Sequence, residues 1–243
     1  MIPKIIHFCW LSNDPFPEKI QFCIDSWKKK LPDYEIIHWD LNRFPLEKSV
    51  WVKEAFESKK YAFAADYIRC YALYHYGGIY LDSDVEVLKS YNDLLQMPYF
   101  MCYEETGAQI EAATIGCEKH FEPFKKMLKY YDNRHFIRED GKYDTTSIPL
   151  LFYRMLEQEY TIRSIESHTQ FIDSSNTISV LPKDYFSPLV DEELEYLTDR
   201  TYSIHHYTAS WISPWHRWLR LIILKVFGKK TKKKLSNIYQ KIK

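Results

Sequence analysis

The stretch that most constrains this chain is residues 61–88, YAFAADYIRCYALYHYGGIYLDSDVEVL. Residues 62–76 follow helical spacing, and Gly77-Gly78 stops the run because glycine accepts positive φ. Ile79-Tyr80-Leu81 then reads as a buried strand that runs into Asp82-Ser83-Asp84, with 85–88 continuing extended.

The same alternation opens the chain. Ile5-Ile6-His7-Phe8-Cys9-Trp10 is an apolar strand closed by Ser12-Asn13-Asp14-Pro15. Residues 17–30 place Ile20, Cys23, Ile24 and Trp27 at helical spacing and end in Lys28-Lys29-Lys30, which suits a helix C-terminus. Residues 34–39 form a second strand. Strand, helix and strand at this pitch predict a βαβ unit, hence a parallel sheet with helices packed on it. Further helices are expected over 46–58, 121–131 and 145–158. Further strands are expected over 99–103, 112–117, 178–181 and 202–206. No internal repeat is visible, and no flexible linker precedes about residue 212.

A chain of 243 residues suffices for one substantial domain with a short appendage. Six glycines and 46% hydrophobic residues exclude collagen-like and disordered designs. The formal net charge of zero hides a split. From Arg200 onward there are 11 Lys or Arg and no Asp or Glu, so the preceding body carries about −11. Five cysteines without metal-site spacing read as reduced, buried thiols of a cytosolic protein. No run of 18 uncharged apolar residues is present, and the N-terminal apolar run is too short for a signal peptide.

Asp82-x-Asp84 is where chemistry begins. In extended chain, residues i and i+2 face the same side. Two carboxylates on one face repel unless a cation lies between them or one is protonated. Mg²⁺ or Mn²⁺ prefers oxygen ligands and leaves positions for substrate phosphates, so the pair points to a metal–diphosphate site; a solvated turn is the alternative. Asp66 and Arg69, at i and i+3, share one helix face. They read as a surface ion pair, or as a carboxylate for sugar hydroxyls beside a guanidinium; Ala62, Ala64, Ala65 and Ile68 around them favour a helix packed on the sheet.

These residues carry a resemblance. Ala-x-x-Ala-Asp66-x-x-Arg69 followed by Gly77-Gly78-Ile-Tyr80-Leu-Asp82-x-Asp84 resembles the sugar-binding region with the DXD motif in family 32 glycosyltransferases, which include bacterial capsular polysaccharide transferases and yeast mannosyltransferases. Clostridial glucosylating toxins share the pattern more distantly. The opening strand through Trp10, the Leu181-Pro182-x-x-Tyr185-Phe186-x-Pro188 stretch and the closing His205-His206-Tyr-Thr-Ala-Ser210-Trp211 extend the similarity over residues 1–211. The chain departs from the pattern at Thr145-Thr146-Ser147-Ile148-Pro149, where many relatives carry Thr-Gly-Pro.

The resemblance implies an α/β GT-A-like nucleotide-sugar-binding fold, with a mixed central sheet flanked by helices, over residues 1–212. It implies a Mn²⁺- or Mg²⁺-dependent, retaining transfer of a hexose from a nucleotide-sugar such as a UDP-sugar. The acceptor would be a glycan, or a lipid-linked acceptor such as a glycolipid. Carried over, Asp66, Arg69 and Asp82 are catalytic; Trp10, His7, Tyr80, Ser210 and Trp211 bind the donor; and Asp82, Asp84 and His206 hold the metal. His205 is expected on the opposite strand face from His206. Glu104, Glu105 and Gln109 lie where an acceptor loop would begin, without a motif that fixes their roles.

Residues 213–243 form a basic segment with Trp215, Trp218 and a lysine run, expected as two amphipathic helices split near Gly228. Their composition suits a peripheral contact with the anionic inner face of the cell membrane. The alternative is a helix pair docked on the catalytic domain or forming a homodimer contact. Nucleic-acid binding lacks an aromatic platform and is not expected. Two rival functions share the acidic pair. An aspartyl-nucleophile phosphatase normally places it near the N-terminus with a later Gly-Asp pair, and here Asp191-Glu192 lacks the glycine. A non-catalytic membrane-peripheral scaffold would not need the complete Asp66, Arg69, Asp82, Asp84 and His206 set.

Overall fold

The computed structural model describes residues 1–12, 14–104, 109–188 and 197–208. Glu105, Asp191-Glu192, Ser210, Trp211 and the basic segment 213–243 lie outside the described residues. Met1–Tyr207 forms one compact unit.

The first strand, β1 (Ile5–Cys9), leads to α1 (Glu18–Lys30) and β2 (Glu35–Trp39). The expected βαβ unit is present, with β1 and β2 adjacent and parallel. The α1 residues Ile20, Cys23, Ile24 and Trp27 are buried, and the Trp27 indole N–H donates to Val85 O at 2.7 Å.

The helix expected over 46–58 is two pieces, a 3-10 turn at Leu46–Lys48 and α2 (Val50–Glu57). Ser49 separates them: its backbone is extended at φ −153°, and its hydroxyl accepts from Val52 N–H, so it caps α2 rather than continuing a helix. Next come α3 (Tyr61–Tyr76) and β3 (Gly78–Leu81). Gly77 and Gly78 have φ of +65° and +97°. A Cβ on Gly77 would meet Lys119 N at 2.6 Å, and one on Gly78 would meet Ile5 O at 2.6 Å. The two glycines therefore both turn the chain and let β3 approach β1.

The remaining elements are β4 (Val85–Val87), β5 (Tyr99–Phe100), β6 (Thr114–Cys117), α4 (Glu122–Tyr131), α5 (Ile148–Glu159), β7 (Thr161–Ser164), β8 (Thr177–Val180) and β9 (Ser203–His205). The start of α5 falls three residues later than expected. Pro149 fits its first turn, and Thr146 bonds to Asp144 instead of entering the helix.

The main sheet has the order β2-β1-β3-β6-β5. Its first three strands are parallel, and β6 runs antiparallel to both β3 and β5. This is the mixed central sheet flanked by helices that the resemblance implies. Side chains alternate across it. Cys9, Tyr80 and Ile115 join the core made with α2, α3, α4 and α5. Ile6, Phe8, Ile79 and Leu81 join the core made with α1 and β4. Covering both faces accounts for the apolar strand sequences. All five cysteines are free and buried, and no helix among the described residues is long and apolar enough to cross a membrane.

His7 is fully buried between these strands. Its Nδ1 accepts from the Trp39 indole N–H at 3.1 Å, so Nε2 carries the proton and donates to Gly77 O at 2.8 Å. Burial lowers its pKa from 6.5 to about 4, despite the Gly77 carbonyl. The unfolded chain takes up this proton near pH 6.5 and the folded chain only near pH 4. The stability from neutral His7 is thus complete above pH 6.5 and lost as pH falls toward 4. The expected slope is roughly 1.4 kcal/mol per pH unit within that window. Urea midpoints of the wild type and His7→Gln between pH 4 and 7 check this; an unchanged slope in the variant would assign it to another group.

Candidate active site

The acidic pair bridges two sheets. Asp82 follows β3, and its backbone N–H donates to Ala113 O at 2.9 Å, extending the pairing with β6. Val85 N–H bonds back to Asp82 O at 3.0 Å, which closes a tight turn. Asp84 O accepts from His206 N–H at 3.1 Å, continuing the antiparallel pairing of β4 with β9. The turn therefore sits at the carboxyl end of β3, the end of a parallel sheet where ligands generally bind.

Arg69 comes up from α3, 4% exposed. Its Nη1 donates to Ala112 O at 2.7 Å, and its Nη2 donates to Asp82 Oδ1 at 2.9 Å and lies 3.5 Å from Asp66 Oδ1. The guanidinium lies over the Tyr80 ring, 4.4 Å from its centroid. Its Nε is buried without a hydrogen-bond partner among the described residues. Burial pushes the Asp66 carboxyl up to about 7 against the pull of Arg69. Burial also raises Asp82, with Asp84 and Glu111 adding to the rise while Arg69 and His205 oppose it. A cluster held this way has unspent affinity for positive charge.

His205 lies on the same side. Its Nε2 is 3.4 Å from Asp84 Oδ1, and its Nδ1 is 3.4 Å from Glu111 Oε1. Burial alone would lower its pKa; Asp84 and Glu111 instead hold it well above the usual histidine range. Asp82, Asp84 and His205 offer ligand atoms within 4.8 Å of one another. Two carboxylates and an imidazole form a donor set that fits Mn²⁺.

His206, the expected ligand, has its ring on Glu86. Its Nε2 pairs with Glu86 Oε2 at 2.8 Å, and burial lowers its pKa despite that partner. His205 and His206 are neighbours at the end of β9, and it is His205 whose ligand atom lies with those of Asp82 and Asp84.

Two expected donor contacts are enclosed by the fold. His7 is 0% and Tyr80 1% exposed, so neither is open to a ligand. His7 ties β1 to Gly77 and Trp39, and Tyr80 supports the Arg69 guanidinium. Trp10 stays half-buried at the carboxyl end of β1, beside β3, edge-on to Phe16 at 5.3 Å. Glu104 N–H donates to Gln109 O at 2.8 Å; residues 105–108 between them lie outside the described residues.

Residues 17–101 match the glycosyltransferase sugar-binding region containing the DXD motif. This sugar-binding region holds Asp66, Arg69, Asp82 and Asp84. A mannosyl phosphorylinositol ceramide synthase of Saccharomyces cerevisiae is 33% identical over 56% of this chain and 37% of its own length. An inositol phosphoceramide mannosyltransferase of Schizosaccharomyces pombe is 38% identical over 40% of this chain and 28% of its own. The chain thus spans well under half of these relatives. An uncharacterized glycosyltransferase of Acanthamoeba polyphaga mimivirus is 25% identical over 87% of this chain and 84% of its own. Among solved structures, the PaToxG glycosyltransferase aligns with a TM-score of 0.48 at 22% identity, over 65% of this chain and 69% of that one. The match and these relatives make the chain similar to glycosyltransferases.

Sequence reasoning missed Glu111. It is 3% exposed and bonded to Ala113 N–H, the Ser187 hydroxyl and the Tyr207 hydroxyl. Burial would raise its pKa, but His205, the Ala113 N–H and the Ser187 hydroxyl bring it down to about 2. The available signal was a lone carboxylate between Ile110 and Ala112 at the head of an apolar strand.

Proposed function

We propose that this chain is a divalent-cation-dependent, retaining glycosyltransferase of the family 32 type. In this reading it moves a hexose from a nucleotide-sugar, such as a UDP-sugar, to a hydroxyl of a glycolipid or glycan. The observation that carries the reading is the Asp82–Asp84 turn with His205, at the carboxyl end of β3 inside the matched sugar-binding region. The names of the fungal relatives favour a mannosyl donor and a phosphorylated ceramide acceptor.

Asp82, Asp84 and His205 would hold the cation, which when bound neutralises charge developing on the diphosphate leaving group. Arg69 fixes Asp82 through one arm of its fork and the entry to β6 through the other. Asp66, beside Arg69 and 7% exposed, accepts hydroxyls of the donor sugar and so orients its anomeric carbon. Trp10 offers an aromatic face for the nucleotide base. The acceptor hydroxyl oxygen bonds to the anomeric carbon on the face from which the phosphate oxygen departs. The acceptor proton passes to that departing oxygen, so configuration is kept without a covalent enzyme intermediate.

Thermal denaturation tests the core of this reading. UDP or GDP at a hundredfold excess over its Kd stabilises a one-site protein by about 2.7 kcal/mol. For a chain this size, that is a rise of roughly 5–10 °C. The rise is expected with Mn²⁺ present and not in EDTA, and a panel of UDP- and GDP-sugars should then identify the donor by nucleotide release. Equal stabilisation in EDTA would remove the cation; no stabilisation by either nucleotide would remove the donor site.

A further inference from the structure

Glu111 ties together three stretches of chain that meet at the acidic pair. Its Oε1 accepts from Ala113 N–H at 2.8 Å and faces His205 Nδ1 at 3.4 Å. Its Oε2 accepts from the Ser187 hydroxyl at 2.8 Å and the Tyr207 hydroxyl at 2.9 Å. His205 Nδ1 is buried and makes no well-formed hydrogen bond among the described residues, so Glu111 is the acceptor placed to take its proton.

Tyr207 adds a second, independent observation. Its backbone lies in the left-handed region, at φ +46°. That conformation is unfavourable for a tyrosine and persists where the surroundings over-determine it. Here it brings the Tyr207 ring over His205, with centroids 3.9 Å apart, while the hydroxyl reaches Glu111. The imidazole is thus held on one ring face by Tyr207 and at Nδ1 by the carboxylate that also anchors Tyr207.

We propose that Glu111 is a positioning residue: it keeps the His205 proton on Nδ1 and so presents the Nε2 lone pair to the divalent cation shared with Asp82 and Asp84. The proposal rests on the cation-dependent reading above and goes beyond it by assigning the histidine's tautomer and the residue that sets it. A ring nitrogen can ligate a cation only when its proton is on the other nitrogen, and a carboxylate at that position fixes both tautomer and ring orientation. The other Glu111 contacts are ties within the fold, which allows the two roles to be separated.

Mn²⁺ titrations followed by electron paramagnetic resonance separate them. Glu111→Gln is expected to weaken Mn²⁺ binding about tenfold or more. Glu111→Asp keeps the charge but withdraws it from Nδ1, and is expected to weaken binding as well. Ser187→Ala removes a tie to the other carboxylate oxygen; it is expected to lower the melting temperature and leave the Mn²⁺ Kd in place. Bound Mn²⁺ should show ¹⁴N spin-echo modulation in the wild type and lose it in His205→Asn. Unchanged Kd in both Glu111 variants overturns the proposal. So does a Ser187→Ala loss of affinity equal to that of Glu111→Gln, since Glu111 would then act only through the fold. Wild-type Mn²⁺ binding without ¹⁴N modulation overturns the proposal and leaves the cation reading standing. Absence of Mn²⁺ binding to the wild type overturns both.

Discussion

Asp84→Asn is expected to reduce cation-dependent nucleotide-sugar turnover by about 10²–10³-fold or more, the scale seen when a group stabilising transition-state charge is removed. The substitution keeps the side chain's volume and takes away one carboxylate of the cluster. Asp84 is 8% exposed and faces His205. It also contributes to the rise in the Asp82 pKa, as Glu111 does. Removing one negative charge relieves that repulsion, while Glu111 still faces His205. Melting in EDTA should therefore stay within a few degrees of the wild type. The gain in melting temperature from Mn²⁺ with nucleotide should vanish. Nucleotide release that persists at the wild-type rate in Asp84→Asn, with the same Mn²⁺ dependence, would remove Asp84 from the site.

Much of the fold follows from local patterning. The helical spacing of Ile20, Cys23, Ile24 and Trp27 places α1, and the glycine pair places the end of α3 within a residue. What local patterning lacks is competition between neighbours. An apolar helical run over 46–58 looks continuous, yet Ser49 is extended and its hydroxyl caps a new helix start. The strand β7 was not anticipated because Thr161, Arg163 and Ser164 are exposed, so no buried face marks it; its pairing with β8 is set by backbone bonds.

The site divides along the same line. Asp66 with Arg69, and Asp82 with Asp84, are short-range relations, the first fixed by helix pitch and the second by the tight turn after β3, and the structure brings all four together. The choice between His205 and His206 is a long-range question. It depends on how the end of β9 meets the turn after β3, far away in sequence, and no local pattern encodes that. His7 and Tyr80 mislead for a related reason. A polar side chain in an apolar strand reads as functional, but here burial supplies each with an internal partner: Gly77 and Trp39 for His7, Arg69 for Tyr80. Glu111 escapes because its meaning comes entirely from residues 187, 205 and 207.

Arg69→Met should have the largest effect on stability. Both terminal nitrogens of Arg69 are used, one on Ala112 O and one on Asp82, and the plane of the fork rests on Tyr80. Methionine fills much of the space and leaves Asp66 and Asp82 without their shared counter-charge. Breaking a buried ion pair by removing one partner costs about 3–5 kcal/mol. In a chain of this size that is a fall in Tm of roughly 10 °C. Arg69→Lys separates charge from geometry. Lysine restores a positive charge near Asp82, but an ammonium cannot donate along two fixed directions or lie flat on the Tyr80 ring. Its Tm should fall between the other two, and its nucleotide release, measured well below its melting temperature, should still be impaired. The opposite pattern, with Arg69→Met melting within a degree or two of the wild type, would mean that Asp66 and Asp82 do not depend on the guanidinium. The cluster would then owe its shape to the β3–β6 backbone pairing alone.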